Sequence, residues 1–575
     1  MIALILIPML VSMILVPFFK GRKKLAFISI SASFLSFLIS LYFLLIGYSS
    51  TQSITWFTIG SYAFSLSLTA SRIGMLMAVF VSFISTMVLI FSPFYMKKDG
   101  TRRYYFEISL FIFSMLGMVL SSSLLLFYIF WELISITSYL LIGFYHQKER
   151  SSQAARKALM MTRIGDFSLL SAMILLFSAL KTFSIPLILS SISFLSPSFL
   201  SLVSVLIFIA ALAKSAQFPF YVWLPDAMEA PTTVTALLHS STMITSGAFL
   251  MILFSKLILS TTIPVLVIAI SFLTIFVSIL LALKERDSKR LMAYSTIESM
   301  GFIFLAVSTG SVNGGLFYLF SHGIFKAASL LLIGELIIWF GTRDIYKLKR
   351  IGIRNNSTFI PMLIAVLSLS AIPPFIGFFA HSAFTYDFNL YEQVLFVIIS
   401  FLTALFAFRF LFIAYRDRTS MQIKRGIYQK IPIWTLVILM LLGGFSLFVI
   451  QKIILIPYSF DPFILVCAAV SAIGAYLAYR MFYINDTTFE GVNGLFGRFT
   501  YDNMLSSIGK SFYAASRGVS VIDDRFVGAY GSIGFGAINL SYFGRRLQNG
   551  DVGFYIDILL VGFVVLLAIL AVIVL

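Results

Sequence analysis

One cysteine, four histidines and a charged fraction of only 11% are what this 575-residue chain has least of. A single thiol, Cys467, set in an apolar run, makes no disulfide framework, and the absence of CxxC, HExxH or clustered histidines leaves no zinc or iron–sulfur signature. No metal is expected. No GxGxxG follows a strand and there is no P-loop, so a nucleotide is not expected either. Scarce charge beside 60% hydrophobic and 16% aromatic residues excludes a soluble multidomain protein, whose surfaces would carry charge throughout.

What the chain has instead is apolar runs near the roughly 20 residues that cross a hydrocarbon core. They fall at 2–19, 25–47, 73–96, 105–126, 127–145, 156–179, 199–224, 232–255, 262–283, 291–309, 313–340, 358–381, 389–414, 431–451, 457–479 and 554–575. The expected fold is an all-α polytopic membrane protein of about 16 transmembrane helices. The run from Met1 to Phe19 lacks a basic start and a small-residue cleavage pattern, so it is read as a retained span. Sorting basic residues by alternate loops puts 33 of the 41 on one side, including Lys20, Lys148, Lys157, Lys289 and Arg343, and only Arg72, Lys181, Lys256 and Lys452 on the other. The net charge of +18 thus orients the chain, with both termini on the charge-poor side, and calls for no nucleic acid.

Ionisable groups inside spans are costly and tend to face the bundle interior. Glu132, Arg163, Asp166, Lys214, His239, Glu298, His322, Lys326, Glu335 and His381 all fall in or near spans. Any one of them can be a structural pair stapling helices, and Glu298 and Glu335 are the natural cases. Ten together, acids and bases alike, point to a polar file through the membrane. Lys214 lies just before Pro219, and a proline breaks a helix by removing a hydrogen bond. Pro373 and Pro374 predict a second break, with His381 a turn or two away. Broken backbone at membrane depth belongs where it lines a hydrated cavity. Two such helices suggest two inverted five-helix repeats. His322 and Lys326, four residues apart, share one helix face.

The stretch from Lys214 to Thr245, KSAQFPFYVWLPDAMEAPTTVTALLHSSTMIT, closely resembles the signature of the L-chain, the antiporter-like subunit, of respiratory complex I, NADH:quinone oxidoreductase. More distantly it is similar to the large subunits of multisubunit sodium/proton antiporters. FWELISITSYLLIGFY from Phe130, MTRIGD from Met161, DSKRLMAYSTIESMGF from Asp287 and FSHGIFKAASL from Phe320 carry the same likeness. The resemblance implies a proton relay of Glu132, Lys214, His239, His322, Lys326 and His381, with Glu132 pairing across helices with Lys214 and with Arg163 and Asp166 beside them. Two positions depart from the pattern. The final station, usually lysine, is His381, and a histidine expected four residues before His322 is Tyr318. Glu298 and Glu335 are also unusual for the family. Burial favours the neutral form of a lysine and a nearby carboxylate its charged form. Lys214 is therefore expected to load the proton and Glu132 to switch it.

The expected organisation is 1–104, N-terminal transmembrane helices; 105–256 and 257–415, the two half-channel repeats; 416–480, additional helices; 481–552, a lateral amphipathic segment; and 553–575, a last span. Leu505, Ile508, Phe512, Ala515, Val519, Ile522, Phe526 and Tyr530 recur at steps of three or four, giving the segment one apolar stripe. The function implied is proton translocation driven by quinone reduction in a separate arm. No cofactor is expected on this chain; flavin, iron–sulfur clusters and quinone would sit on partner subunits. The implied partners are lipid, M-, N-, K-, J-, A- and H-type chains and a peripheral redox arm, in a prokaryotic inner membrane, with the mitochondrial inner membrane second. The alternatives are a cation/proton antiporter subunit or a hydrogenase-like membrane complex, and, from a different class, a structural anchor or an ion channel. The electron donor, proton or sodium selectivity and stoichiometry stay open at this point.

Overall fold

Twelve of the expected spans are helices with the length and hydropathy to cross a bilayer, and 2–19, 358–381 and 431–451 contain the shorter apolar helices Ile7–Phe18, Ser357–Leu369 and Ile427–Leu441. The computed structural model describes residues 1–60, 62–96, 101–351, 356–416, 425–444 and 461–484. The expected span 554–575 and the lateral segment beyond residue 484 lie outside the described residues. The chain is an all-α polytopic membrane protein with one addition among the described residues, a hairpin of β1 (Thr51–Ile59) and β2 (Tyr62–Thr69) in the charge-poor loop before the third span.

In chain order the helices are α1 (Ile7–Leu15), α2 (Arg22–Leu45), α3 (Arg72–Tyr95), α4 (Thr101–Leu120), α5 (Leu124–Ile142), α6 (Glu149–Leu180), α7 (Ile185–Ser190), α8 (Pro197–Lys214), α9 (Trp223–Asp226) and α10 (Thr232–Ser240). They continue with α11 (Met243–Leu253), α12 (Ser255–Leu259), α13 (Ile263–Lys284), α14 (Ser288–Ser308), α15 (Val312–Phe340) and α16 (Ile345–Ile351). The last are α17 (Asn356–Leu369), α18 (Ile376–Thr385), α19 (Leu390–Ala414), α20 (Ile427–Leu441) and α21 (Phe463–Ala478). The chain divides into two compact units, Met1–Ile54 with Ser65–Thr488, and Thr55–Phe64 with Phe489–Leu575. In the second, the hairpin tip stacks Phe57 on Phe64 at 4.5 Å.

Local sequence sets the helix ends. The Asp287 carboxylate accepts from the backbone N–H of Lys289 at 2.8 Å to start α14, and Asn389 and Glu392 form a reciprocal capping box at the start of α19. Between helices, small hydroxyl residues supply many of the polar contacts, as expected where lipid offers no hydrophobic drive for association. Ser12, Ser29 and Ser109 meet at 3.1–3.3 Å where α1, α2 and α4 touch. Nearly every residue of α10, α11 and α14 is buried, which places them inside the bundle.

Both expected breaks are present. The α8 helix ends at Lys214, and Ala216 takes a left-handed φ of 52° three residues before Pro219; Ala371, also at φ 52°, precedes Pro374 by the same interval between α17 and α18. A third break, between α10 and α11, has no proline or glycine. There Thr242 has φ −127° and ψ −105°, and its hydroxyl donates at 2.9 Å to the Leu237 carbonyl, which also accepts the last backbone bond of α10 from the Ser241 N–H.

The charge asymmetry gives a direct topological expectation. Lys148 and Ser260 are both exposed at loop positions on opposite sides. A cysteine at Lys148 will react with an impermeant maleimide from the positive side and one at Ser260 from the other, against a buried native Cys467. Labelling of both from the same side would overturn the orientation.

Candidate functional site

The first half of the file is a row of four charges of alternating sign. Trp131 and Ser135 lie one turn apart on α5 and turn towards Lys214 at the end of α8. The Lys214 ammonium donates to Asp166 Oδ1 at 3.0 Å, to the Trp131 carbonyl at 3.2 Å and to the Ser135 hydroxyl, and stands 4.4 Å from the centre of the Trp131 ring. Asp166 also accepts from the Trp131 indole at 2.7 Å and the Ser135 hydroxyl at 3.1 Å. Glu132 does not pair with Lys214. At about 100° per residue it sits on the next face of α5, where it accepts from Arg163 at 2.5 Å and from the Tyr128 hydroxyl at 2.8 Å. Arg163, one turn before Asp166 on α6, lies 3.8 Å from that carboxylate. The row therefore runs Glu132, Arg163, Asp166, Lys214, from a guanidinium that is 34% exposed to an ammonium that is 1% exposed. Gly165 makes the approach of α6 to α8 possible, since a Cβ there would stand 2.7 Å from that of Ala213.

The break after Lys214 is held by side chains. The Trp223 indole donates to the Ala213 carbonyl at 3.2 Å, the Ser215 hydroxyl to the Ile244 carbonyl at 2.8 Å, and the Gln217 amide to the Ile297 carbonyl of α14 at 3.1 Å. Lys214 thus occupies the negative end of a helix dipole, where a cation is favoured.

At the centre, His239 on α10, His322 and Lys326 on α15, and Ser295 and Thr296 on α14 come together. The Thr296 hydroxyl gives its proton to the Met292 carbonyl at 2.9 Å, so His239 Nδ1, 3.1 Å from it, is the donor. His322 Nε2 donates to the His239 carbonyl at 3.1 Å. His239 Nε2 and His322 Nδ1 are left as buried acceptors without a protein partner among the described residues. Lys326 donates to the Ser295 hydroxyl at 2.5 Å and has no carboxylate in ion-pair contact among the described residues. Gly323 allows this closeness: a Cβ there would stand 2.4 Å from the Ser240 carbonyl.

Towards the charge-poor side lie Glu298, Tyr318 and His381. Glu298 is fully buried and accepts from the Thr403 hydroxyl on α19. The Tyr318 hydroxyl makes a long 3.5 Å contact with Ser299. His381, beyond the second break, donates from Nδ1 to the Gly377 carbonyl at 2.8 Å and is ringed by Tyr318, Phe302, Phe384 and Phe396 at 4.8–5.7 Å. Glu335 is separate from the relay. Arg425 grips both its oxygens at 2.5–2.9 Å and Gln429 adds a bond at 3.0 Å, the staple that its position in the sequence left open. Arg425→Leu would leave a buried carboxylate with one donor. A loss of about 3–5 kcal/mol is expected, read as thermal melting of the purified protein, with uptake per assembled complex unchanged.

The sequence reading missed the positive-side mouth. A cavity of about 860 Å³ opens there, lined by Asp226, Glu229, Asp287, Arg290 and Arg343 among others. Asp226 binds Lys157 at 2.8 Å and Arg290 at 2.6 Å, while Arg343 binds Glu229 at 3.0 Å. Lys289, grouped above with the loop residues, is instead only 1% exposed, its ammonium held by the Met228 and Ala230 carbonyls at 2.6 and 2.8 Å. The signal was the WLPDAMEAP stretch, whose two acids follow the first break.

Broken helices, buried cations and a charged mouth on one side define a polytopic membrane protein of the helical-bundle class with charges set inside its spans. Residues 121–407 match the family described as NADH:quinone oxidoreductase/Mrp antiporter, and residues 56–106 the complex I chain 5 N-terminus. The chain belongs to that family, as an L-type antiporter-like member. It is 33% identical over 484 residues to NADH-quinone oxidoreductase subunit L of Campylobacter jejuni, covering 80% of both chains. To NAD(P)H-quinone oxidoreductase chain 5 of Synechocystis sp. it is 36% identical over 353 residues, 58% of this chain and 51% of that one. The chain spans about half the length of the chain 5 relatives it matches. Its fold is like that in the Mrp complex from Dietzia sp., with a TM-score of 0.75 at 21% identity over 99% of this chain and 62% of the other.

Proposed function

We propose that this chain is a proton-translocating membrane subunit of a complex I-type quinone oxidoreductase in a prokaryotic inner membrane. The observation that carries this is the succession of titratable groups from half-buried Glu132 through buried Lys214, His239 and Lys326 to His381, each on or against an interrupted helix. Protons enter from the charged mouth, are held on Lys214 and Lys326, and leave past His381 on the charge-poor side. Quinone reduction in partner chains supplies the drive. Those partners are the M-, N-, K-, J-, A- and H-type chains and a peripheral arm carrying flavin and iron–sulfur clusters. This chain contributes no redox centre. With Asp166 held by Lys214 and Glu132 by Arg163, the switch is a shift of partners along the row: when Arg163 moves fully to Glu132, Asp166 binds Lys214 and keeps its proton in place; when Arg163 turns to Asp166, that hold on Lys214 slackens.

A second reading, a cation/proton antiporter subunit, draws on the likeness to the Mrp fold. The test is the intact complex in sealed vesicles. Quinone reduction should acidify the far side equally in sodium and in choline medium, and uptake that requires sodium would favour the antiporter.

A further inference from the structure

Of the buried carboxylates on α6, α14 and α15, Asp166, Glu298 and Glu335, Glu298 is the one left with capacity to spare. Asp166 is surrounded by the Lys214, Trp131 and Ser135 donors, and Glu335 by Arg425 and Gln429. Among the described residues Glu298 accepts a single bond, from Thr403 to Oε1, while Oε2 is buried with no protein partner. A fully buried acid without an ion pair is expensive to keep charged, and is seldom retained for packing alone.

Its place on α14 gives that acid a task. Ser295 is the residue Lys326 holds, and Phe302 is the residue packed edge-on against His381 at 5.1 Å. Seven residues separate those two positions, a rise of about 10 Å, which is beyond a direct proton hop. Glu298 lies between them on the same helix face, three residues from the first and four from the second. The Ser299 hydroxyl beside it meets Tyr318, whose ring is 4.8 Å from that of His381. Among the other groups around this stretch, the Gln217 amide nitrogen is bonded to the Ile297 carbonyl, and the Arg409 guanidinium on α19 reaches the Glu285 carbonyl at 3.0 Å.

We infer that Glu298 is the proton carrier joining Lys326 to His381 in the second half of the file. This rests on the proton-translocating reading above. The Lys326 ammonium gives a proton to the Glu298 carboxylate, leaving a neutral amine and a carboxylic acid. The acid then passes it, through the Ser299 and Tyr318 hydroxyls or water between them, to Nε2 of His381, which becomes imidazolium as the carboxylate is restored. Thr403 donates to Oε1 throughout and holds Oε2 towards the path. A histidine as the last station suits this arrangement, since a neutral imidazole bonded through Nδ1 can accept a proton at Nε2 and give it up again.

The test uses the complete complex in vesicles, with assembly, quinone reduction and proton uptake read separately. Glu298→Gln keeps the Thr403 bond and the shape but carries no proton. Its uptake per quinone should fall to the level of Lys326→Met, and Glu298→Asp should recover part of it. Normal uptake in E298Q while K326M is inactive would overturn the inference alone, as would an E298D no better than E298Q. Normal uptake in K326M would instead overturn the reading of the whole site. If E298Q does not assemble, the wild-type complex decides. With carboxyl-labelled glutamate, infrared difference spectra on turnover should contain an isotope-shifted buried carboxyl band, and its absence would overturn the inference.

Discussion

Lys214→Ala vesicles will lose quinone-driven proton uptake, and adding Asp166→Asn will restore stability without restoring uptake. Removing the ammonium leaves Asp166 buried with the Trp131 and Ser135 donors and with Arg163 only at 3.8 Å. Breaking one side of such a pair costs about 3–5 kcal/mol, visible as a lower melting temperature. Neutralising Asp166 removes the lone charge, so most of that loss should be recovered in the double variant. Uptake should not be, because neither residue can then hold a transferable proton. A double variant that pumps would reduce the pair to a helix staple.

The second expected result is the opposite stability pattern at the centre. Lys326→Met will assemble and melt at or above the wild-type temperature, yet lose uptake as fully as Lys214→Ala. Lys326 has hydroxyl and carbonyl partners and no carboxylate at ion-pair distance, so its loss strands no opposite charge in direct contact. Replacing a buried charge by an apolar side chain of similar volume is often neutral or stabilising, by about 1–4 kcal/mol. A charge retained at such a cost points to use. A destabilised K326M, or one that pumps, would remove Lys326 from the path.

Much of this arrangement was legible in the sequence because its strongest devices are local. Proline marked two breaks, since a missing N–H at Pro219 or Pro374 interrupts a helix whatever surrounds it. The third break, after His239, falls in a run of serine and threonine, residues that also occur in unbroken membrane helices, so S-S-T carried no warning. Partner choice was less legible. That Glu132, Arg163, Asp166 and Lys214 belong together was readable, but which acid faces which base depends on the rotation of α5, a property of packing. Lys289 was misplaced for a related reason. Its position one residue into α14 reads as a loop charge, and only the turn at Met228 and Ala230 folding over it makes it interior. Glu335 needed Arg425, 90 residues away, to be understood.

The Gln217 amide belongs to the interrupted stretch beside Lys214, yet it grips the carbonyl of Ile297, the residue before Glu298. A bond of this kind is worth about 0.5–1.5 kcal/mol. Any rearrangement of the first break that releases it charges that amount to α14, and any movement of α14 that releases it charges the same to the break, because linkage between two sites is reciprocal. The two halves are thus geared rather than merely adjacent. A stroke begun at either end is felt at the other through one tooth of contact, and Gln217→Leu would leave both wheels intact but free to turn out of phase.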